Sequence, residues 1–326
     1  MDGGNAKGLS GTILAHVGVL RTLILVFVFS LSGMAASAEP TDEKDMCTAD
    51  DGPLTPSPLE KKYHQLKKEL DNSVFGSPIL VTSENGDQRV KGDVYVLLET
   101  PFLDLNETLT KPAQWCELAI LHINIKACTY RDDEVQIFVG RKHYQDPIDA
   151  HPVRYRFELP NNGSHDLTVK LTAADGPLGT SDYLISVNAI PIDEQHSFIH
   201  FTYRYQYGFL ADLAMSTYLA TLGRHKVGFT VTGKNKRGEP VYIQGLQGVI
   251  ERNAMRYIFA IQTLLETKKS PEENRQTEQL NRWFDYISKY PKQLKEVRRE
   301  KYLANKKIET ANQKELQESG GLLDEE

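Results

Sequence analysis

Residues 246–265, with the sequence LQGVIERNAMRYIFAIQTLL, determine the fold that we predict for this chain. Apolar side chains recur there every three or four residues, which places them on one face of an α-helix. Glu251, Arg252 and Gln262 fall outside that face and are expected to contact water. A helix of this kind needs a second apolar surface to cover its apolar stripe. The stripe consists of Leu246, Val249, Ile250, Asn253, Tyr257, Ile261 and Leu264.

The part of the chain before this helix is predicted to supply the apolar surface that covers it. Between residues 79 and 207, short runs alternate apolar with polar residues, which is typical of antiparallel strands with one inward face. One such run starts at Leu121, and Asn85-Gly86 between two runs indicates a hairpin. Too few strands remain for a second sheet, so helices must cover the inner face. The prediction is an α+β fold in which a curved antiparallel sheet wraps around a long C-terminal helix.

Shorter helices are predicted around this framework. Residues 59–70 have one apolar face and are expected to pack on the domain. Residues 102–109 suit a short helix, and Pro112 suits the first turn of the next one. Residues 209–222 predict a further helix before the long one.

The N-terminus has the pattern of an export signal. Residues 23–31, LILVFVFSL, follow Arg21 and precede Ala36-Ser37-Ala38, a small-x-small cleavage site. We therefore expect residues 1–38 to be a signal peptide, cleaved near Ala38, and the protein to be periplasmic or secreted; the alternative is an uncleaved anchor. Residues 39–58 are acidic and proline-rich, and predict a disordered leader.

The C-terminal part differs in composition. Residues 268–319 predict a basic helical tail in which Leu280, Ile287 and Leu294 lie one heptad apart, interrupted by Pro291. This tail either docks on its own domain, or binds a protein partner, self-associates or contacts anionic lipid. Residues 320–326 are glycine-rich and then acidic, and predict a disordered end.

Composition excludes some functions. The net charge of −6 argues against a nucleic-acid-binding protein, which usually carries a basic face. No histidine, aspartate or glutamate set has the spacing of a metal site, and no catalytic or phosphate-binding motif occurs. The sequence predicts no cofactor. Cys116 and Cys128 invite a disulfide in an oxidising compartment, provided that the helix before the strand runs back along it; Cys47 in the leader is the alternative partner of either.

The order of elements over residues 59–267 resembles the START-like helix-grip superfamily, which includes lipid-transfer and polyketide-cyclase-like domains. The strand at 90–99, Pro101-Phe102 and the helical pair ending at Trp115-Cys116 carry the local resemblance. It implies a cavity for a lipid or other hydrophobic small molecule between sheet and helix. Candidate cavity-lining residues are Ile123, Ile125, Tyr155, Phe157, Val169, Ile185, Phe201, Tyr203, Tyr205, Tyr207, Asn253, Tyr257 and Ile261.

Several choices stay open at this point. The aromatic ladder from Phe201 to Tyr207 either lines the cavity or packs as core. Asn253 either binds ligand or caps a loop carbonyl. The polar strand positions are expected on a solvated outer face, with a polar pocket as the alternative; they are His122, His200, Arg154, Arg156 and Arg204. A cyclase- or hydrolase-like enzyme and a scaffold acting through the tail are the alternatives to a binding protein.

Overall fold

The computed structural model describes residues 56–208 and 226–320. These residues form an eight-stranded antiparallel sheet in the order β1-β2-β8-β7-β6-β5-β4-β3. The predicted signal peptide, most of the leader, the helix expected at 209–222 and the last six residues lie outside the described residues. The strands are β1 (Ile79–Gly86), β2 (Arg89–Leu98), β3 (Ile125–Arg131), β4 (Glu134–Val139), β5 (His151–Asn162), β6 (Leu167–Asp175), β7 (Thr180–Pro191) and β8 (Ser197–Tyr207).

Helices cover both faces of this sheet. The outer face carries α1, where Tyr63 packs on Phe198 with ring centroids 5.1 Å apart. The inner face carries α4, whose inward residues join those of the strands in one continuous core. The helices are α1 (Pro58–Asp71), α2 (Phe102–Leu109), α3 (Pro112–Ala119), α4 (Gly245–Thr267), α5 (Glu272–Ser288) and α6 (Arg299–Glu318), and a small hairpin joins β9 (Val231–Lys234) to β10 (Pro240–Tyr242).

The predicted fold class is confirmed. The strands alternate buried and exposed residues, as in β5, because one face packs inward and the other meets solvent. The long helix α4 packs against β1, β2 and β8 at one side of the sheet. Gly92 leaves room for this approach, since a Cβ there would lie 3.2 Å from the Ile250 side chain. The arrangement is a helix-grip fold.

The first hairpin turns two residues later than predicted. Asn85 and Gly86 are paired with Val90 and Arg89, and the turn is formed by Asp87 and Gln88. Both turn residues have positive φ, 52° and 57°. The inward face of β2 fixes this register, because a slip would turn its buried valines toward solvent.

The strand predicted from Leu121 begins only at Ile125. Before it, the chain makes successive turns, with hydrogen bonds from His122 N to Ala119 O (3.0 Å) and from Ile125 N to His122 O (3.1 Å). These turns let α3 run back along β3. Cys116 and Cys128 consequently come within 4.9 Å at their Cα atoms and form a disulfide.

The polar side of α4 is also buried, so the expectation that Glu251 and Arg252 face water is wrong. Glu251 is 0 % exposed and accepts hydrogen bonds from the backbone N–H groups of Phe229 (2.6 Å) and Thr230 (3.0 Å). Arg252 donates to the carbonyl of Val227 at 3.3 Å. The segment before β9 therefore covers this side of the helix.

The C-terminal helices pack on the same core. Trp283 of α5 is fully buried and donates to the Arg256 carbonyl at 3.1 Å. Lys306 of α6 donates to the carbonyls of His122 and Ile125, each at 2.7 Å, and pairs with the buried Glu309. Leu280, Ile287 and Leu294, which carry the heptad pattern, are buried within this chain.

Candidate functional site

A cavity of about 700 Å³ lies between the sheet and the N-terminal half of α4. Its apolar wall comes from β3, β4 and β5, its aromatic wall from β7 and β8, and its third side from α4. The loops at 140–151 and 177–180 form the rim. The walls include Ile125, Ile137, Val139, Val153, Tyr155, Tyr183, Tyr203, Tyr205, Leu246, Val249, Asn253 and Tyr257, with His122 at the inner end.

Seven of the thirteen predicted lining residues border this cavity: Ile125, Tyr155, Tyr203, Tyr205, Tyr207, Asn253 and Tyr257. The other six do not border it. Phe157, Val169, Ile185, Phe201 and Ile261 point inward but belong to the solid core, and Ile123 is buried in the turn before β3. The difference follows position along α4, because residues 258–264 pack tightly on the sheet while residues 246–257 leave space.

Sequence reasoning did not select several lining residues. Four of them lie on the inward face of their strands, as many core residues do, so alternation alone could not select them. Only their positions near the strand ends at the rim distinguish them from core residues; they are Ile137, Val139, Val153 and Tyr183. Leu246 and Val249 lay on the helix stripe. The remaining rim residues lie in the connections before β5 and β7 or at the first position of these strands, where the sequence has no alternating pattern; they are Arg141, Gln145, Asp149, His151, Leu178 and Thr180.

Tyrosines from β5, β7, β8 and α4 form a connected array around the cavity. The rings of Tyr183 and Tyr205 stack with centroids 5.3 Å apart, Tyr155 meets Tyr183 at 6.3 Å, and Tyr203 meets Tyr257 at 5.8 Å. Burial raises the pKa of all five phenols, so they remain protonated.

The hydroxyls of this array differ in their partners. The Tyr183 hydroxyl is hydrogen-bonded to Thr180 Oγ1 at 2.6 Å. Those of Tyr155, Tyr203, Tyr205 and Tyr257 make no hydrogen bond to any residue that the structure describes. A buried hydroxyl normally has a partner. Four protonated hydroxyls are therefore open to a ligand.

His122 lies at the inner end of the cavity, so the prediction of an outer-face position is wrong. The turns before β3 direct it inward, where its ring stacks on Tyr257 at 5.7 Å. Its Nδ1 accepts the backbone N–H of Asn124 at 3.1 Å, which leaves the proton of the neutral ring on Nε2. Burial lowers the pKa of His122 well below its usual value, and the charges of Arg256 and Lys306 lower it further. His122 is therefore a neutral, weakly basic group.

A buried ionic cluster lies behind this end of the cavity. Glu296 accepts from Arg256 Nη2 at 2.9 Å and also pairs with Lys142. Lys226 and Arg252 approach it at 3.9 and 4.0 Å. Burial acts to raise the pKa of Glu296, but the cations lower it to about 2. Arg256 also connects the cluster to the cavity, since its Nη1 donates to Asn253 Oδ1 at 3.1 Å.

The remaining polar strand positions lie on the outer face, as expected. Arg154 and Arg156 are exposed there. His200 bonds Asp93 at 2.8 Å, and Arg204 approaches Asp182 at 3.5 Å. Burial acts to raise the pKa of Asp93, but hydrogen bonds from His200, Lys91 and Thr202 lower it overall. These contacts support the sheet and do not reach the cavity.

The described part of the chain has neither a metal-type side-chain cluster nor a membrane-spanning type of helix. Residues 56–208 and 226–320 contain no cluster of three or more histidine, cysteine, aspartate or glutamate side chains fit for a metal ion. The same residues contain no helix that combines the length and apolar character needed to cross a bilayer.

No family model matches the sequence, and no curated protein matches it. Solved structures with a similar arrangement include a norcoclaurine synthase mutant from Thalictrum flavum bound to a transition-state analogue, with 14 % identity, a TM-score of 0.32 and coverage of 59 % of this chain and 97 % of that one. A conserved protein of unknown function from Enterococcus faecalis has 10 % identity, a TM-score of 0.32 and coverage of 64 % and 90 %. An uncharacterised Bacillus thuringiensis protein has 10 % identity, a TM-score of 0.27 and coverage of 41 % and 93 %. Because these values are low, the fold assignment rests on strand order, register and the placement of α4.

Proposed function

We propose that this protein binds a hydrophobic small molecule in the cavity between its sheet and α4. The observation that carries the proposal is a preformed space of about 700 Å³ with aliphatic and tyrosine walls. Small-molecule sites are typically apolar clefts of roughly 300–1,000 Å³ with a few convergent polar groups. Here the polar groups are the open tyrosine hydroxyls and Asn253.

The walls match a ligand with an apolar body. Ile137, Val139 and Val153 line the β4 and β5 side of the cavity and offer no hydrogen-bonding side chain. Burying apolar ligand surface there would be favourable by about 25 cal/mol per Å² before the cost of association. Four hydroxyls without a protein partner can meanwhile orient a polar group on the ligand.

The alternative of a cyclase- or hydrolase-like enzyme requires a titratable pair inside the cavity. No histidine among its described lining residues is hydrogen-bonded to a carboxylate. His122 is a weak base because burial lowers its pKa. These contacts support binding better than acid–base catalysis.

The scaffold alternative requires a tail with a free apolar face. The apolar residues that carried the heptad prediction, Leu280, Ile287 and Leu294, are instead buried in the core of this chain. The packing of α5 and α6 therefore supports a structural role for residues 272–318.

We also propose that the protein acts outside the cytosol, after cleavage near Ala38. The Cys116–Cys128 disulfide supports this, because disulfides persist mainly in oxidising compartments. Intact mass measurement of the protein from its native host checks the cleavage. A mass that includes residues 1–38 would contradict it.

A fluorescent probe tests ligand binding. We expect the neutral fluorophore 1-aminoanthracene to bind the full-length protein and increase in emission. Val249→Trp places a large ring into the cavity, so binding should weaken by about tenfold or more, equivalent to at least ~1.4 kcal/mol. Ile308→Trp makes a comparable change on the exposed side of α6 and should leave the dissociation constant unchanged. Equal binding by all three proteins would place the probe elsewhere and contradict the proposal.

A further inference from the structure

We propose that the ligand of this cavity is an amphiphile with an anionic head group, a carboxylate, held at the inner end beside Asn253 and Tyr257. The inference rests on the proposed function and adds the charge and hydrogen-bonding type of the ligand. Three observations carry it: the orientation of the Asn253 amide, the set of donors around it, and the charge behind it.

The Asn253 amide is oriented by Arg256. Arg256 Nη1 donates to Asn253 Oδ1 at 3.1 Å, and the side chains of His122 and Asn253 are also hydrogen-bonded. Because the His122 proton is on Nε2, this bond too is accepted by the amide oxygen, and the Nδ2 hydrogens are left to donate. Asn253 is half-buried and borders the cavity. One turn further along α4, Tyr257 borders it too. The inner end therefore presents an amide N–H group beside a phenol O–H group.

Further donors lie close to this pair. Tyr203 meets Tyr257 with ring centroids 5.8 Å apart, and burial together with the neighbouring Tyr257 raises the pKa of Tyr155. Burial also raises the pKa of Tyr203 and Tyr257, so all three phenols stay protonated. A phenol can also accept, but a set dominated by amide and phenol hydrogens is best satisfied by an acceptor-only group. An ionised carboxylate has two acceptor oxygens, and a hydrogen bond to an ionised acceptor is roughly twice as strong as one between neutral groups.

The charge behind the inner end is positive. Glu296 is surrounded by four cations, Lys142, Lys226, Arg252 and Arg256, so the cluster holds an excess of three positive charges. This field reaches the cavity: Arg256 lowers the pKa of His122, and Arg252 acts to lower that of Tyr205 although burial raises it overall.

Negative charge on the cavity itself is sparse. Asp149 is the one acidic residue among the described lining residues, and it is exposed at the rim. Glu251, the buried carboxylate of α4, does not line the cavity and is held by Ser83 Oγ at 2.7 Å and by Thr230. A cationic head group would therefore meet repulsion and no carboxylate at the inner end, whereas an anion meets donors and a favourable potential.

Three ligands of equal chain length test the inference by displacement of 1-aminoanthracene from the full-length protein: dodecanoic acid, 1-dodecanol and dodecylamine. At pH 7.5 we expect dodecanoate to bind about tenfold or more tightly than dodecanol, and dodecylamine to bind most weakly. The comparison is made below the concentration at which these compounds form micelles.

Asn253→Asp provides the variant. Its carboxylate keeps the acceptor for Arg256 but removes the N–H donors and adds a negative charge. Dodecanoate affinity should fall about tenfold or more, and dodecanol affinity should change less than about twofold. The control is Asn188→Asp on the outer sheet face, where Thr168 Oγ1 donates to the retained oxygen at 3.1 Å. It adds the same charge and should change neither affinity, and thermal unfolding shows whether each variant folds.

The outcomes separate the two proposals. A dodecanoate preference that is lost in Asn253→Asp and kept in Asn188→Asp supports the anionic head group. Equal affinity of the wild-type protein for dodecanoate and dodecanol overturns it while leaving hydrophobic ligand binding intact. Absence of binding by the fluorophore and all three compounds overturns both proposals.

Discussion

Two groups of aromatic residues lie on the inner side of the sheet, one packed between helices and the other around the cavity. The packed cluster lies between α4 and the C-terminal helices and contains Phe259, Trp283, Phe284, Tyr286, Tyr290 and Tyr302. The cavity cluster lies at the other end of α4 and contains Tyr155, Tyr183, Tyr203, Tyr205 and Tyr257. Ring spacings are similar in both, but the second borders the cavity of about 700 Å³, whereas Phe259, Tyr286 and Tyr290 of the first border a smaller cleft of about 380 Å³.

The polar atoms distinguish the two clusters. In the packed cluster, Tyr302 donates to Leu121 O at 2.9 Å, Tyr290 to Phe75 O at 3.2 Å and Trp283 to Arg256 O at 3.1 Å. In the cavity cluster, four of five hydroxyls have no partner in the described part of the chain. A core satisfies its buried donors, whereas a binding site leaves donors for its ligand.

The largest expected effect is the loss of a packed ring. Trp283→Ala removes a fully buried indole and its hydrogen bond, so the free energy of unfolding should fall by about 3–5 kcal/mol. Urea denaturation measures it, with Ile308→Ala on the exposed side of α6 as the control. A loss under ~1 kcal/mol would show that the site collapses freely and that this cluster is not tightly packed.

The next largest effect on stability is expected at Glu296, the partner of Arg256, which connects the two clusters. Arg256 accepts from Trp283 through its carbonyl and bonds both Glu296 and Asn253 through its guanidinium. The pKa of Glu296 is about 2 in the folded protein against an ordinary 4.5, which corresponds to on the order of 3 kcal/mol of stability. Because the folded-state pKa is the lower one, this stability is fully present above about pH 5 and is lost as the pH falls toward 2.

Glu296→Gln removes that pH dependence. At pH 7 the variant should be less stable by up to ~3 kcal/mol, because the surrounding cations lose their counter-charge. Between pH 5 and 2.5 its stability should change less than that of the wild type, as measured by urea denaturation across the range. Glu300→Gln, on an exposed position of α6, should follow the wild-type curve. If stability depends on pH in the same way in all three proteins, protonation of Glu296 does not cause the loss of stability in acid.

Single hydroxyls give a smaller effect in the packed cluster. Tyr302→Phe leaves the ring in place but deprives the buried Leu121 carbonyl of its donor, so stability should fall by about 1–2 kcal/mol. Thermal and urea unfolding measure the change, with Tyr144→Phe at a half-exposed position as the comparison. An unchanged midpoint would mean that the hydroxyl contributes nothing to this packing.

The smallest effect on stability is expected in the cavity cluster. Tyr203→Phe removes a hydroxyl with no protein partner, so the free energy of unfolding should change by no more than ~0.5 kcal/mol. Ligand affinity should nevertheless fall about fivefold, the value of one hydrogen bond of ~1 kcal/mol. Stability loss as large as in Tyr302→Phe, with unchanged dodecanoate affinity, would erase the distinction between the clusters.

The sequence predicted the fold because its patterns are local. Alternation along β5 and the stripe of α4 depend on neighbours two to four residues away, and hydrophobic burial enforces both. The pattern could not place the cavity. Phe201 and Tyr203 are equivalent in the alternation of β8, yet one belongs to solid core and the other borders a void. Both rings lie 5.8 Å from Tyr257 of α4, so neither the alternation of β8 nor that contact distinguishes them.

The polar features required contacts between distant segments. His122 reaches the cavity because turns replace the predicted strand start, and those turns are held by Lys306 from α6. Arg252 and Glu251 are buried because residues 227–230 cover them. Neither segment has a sequence pattern that refers to the other, so side-chain type alone predicted solvent exposure.

Native mass spectrometry of the full-length protein, purified without detergent, shows directly whether the cavity holds a ligand. We expect a one-to-one complex with a hydrophobic compound, either retained from the host or formed on incubation with dodecanoic acid. The complex should be lost in Val249→Trp and kept in Ile308→Trp. A wild-type protein that stays empty under both conditions, or a Val249→Trp variant that binds as well as the wild type, would contradict the claim that the cavity is a ligand site.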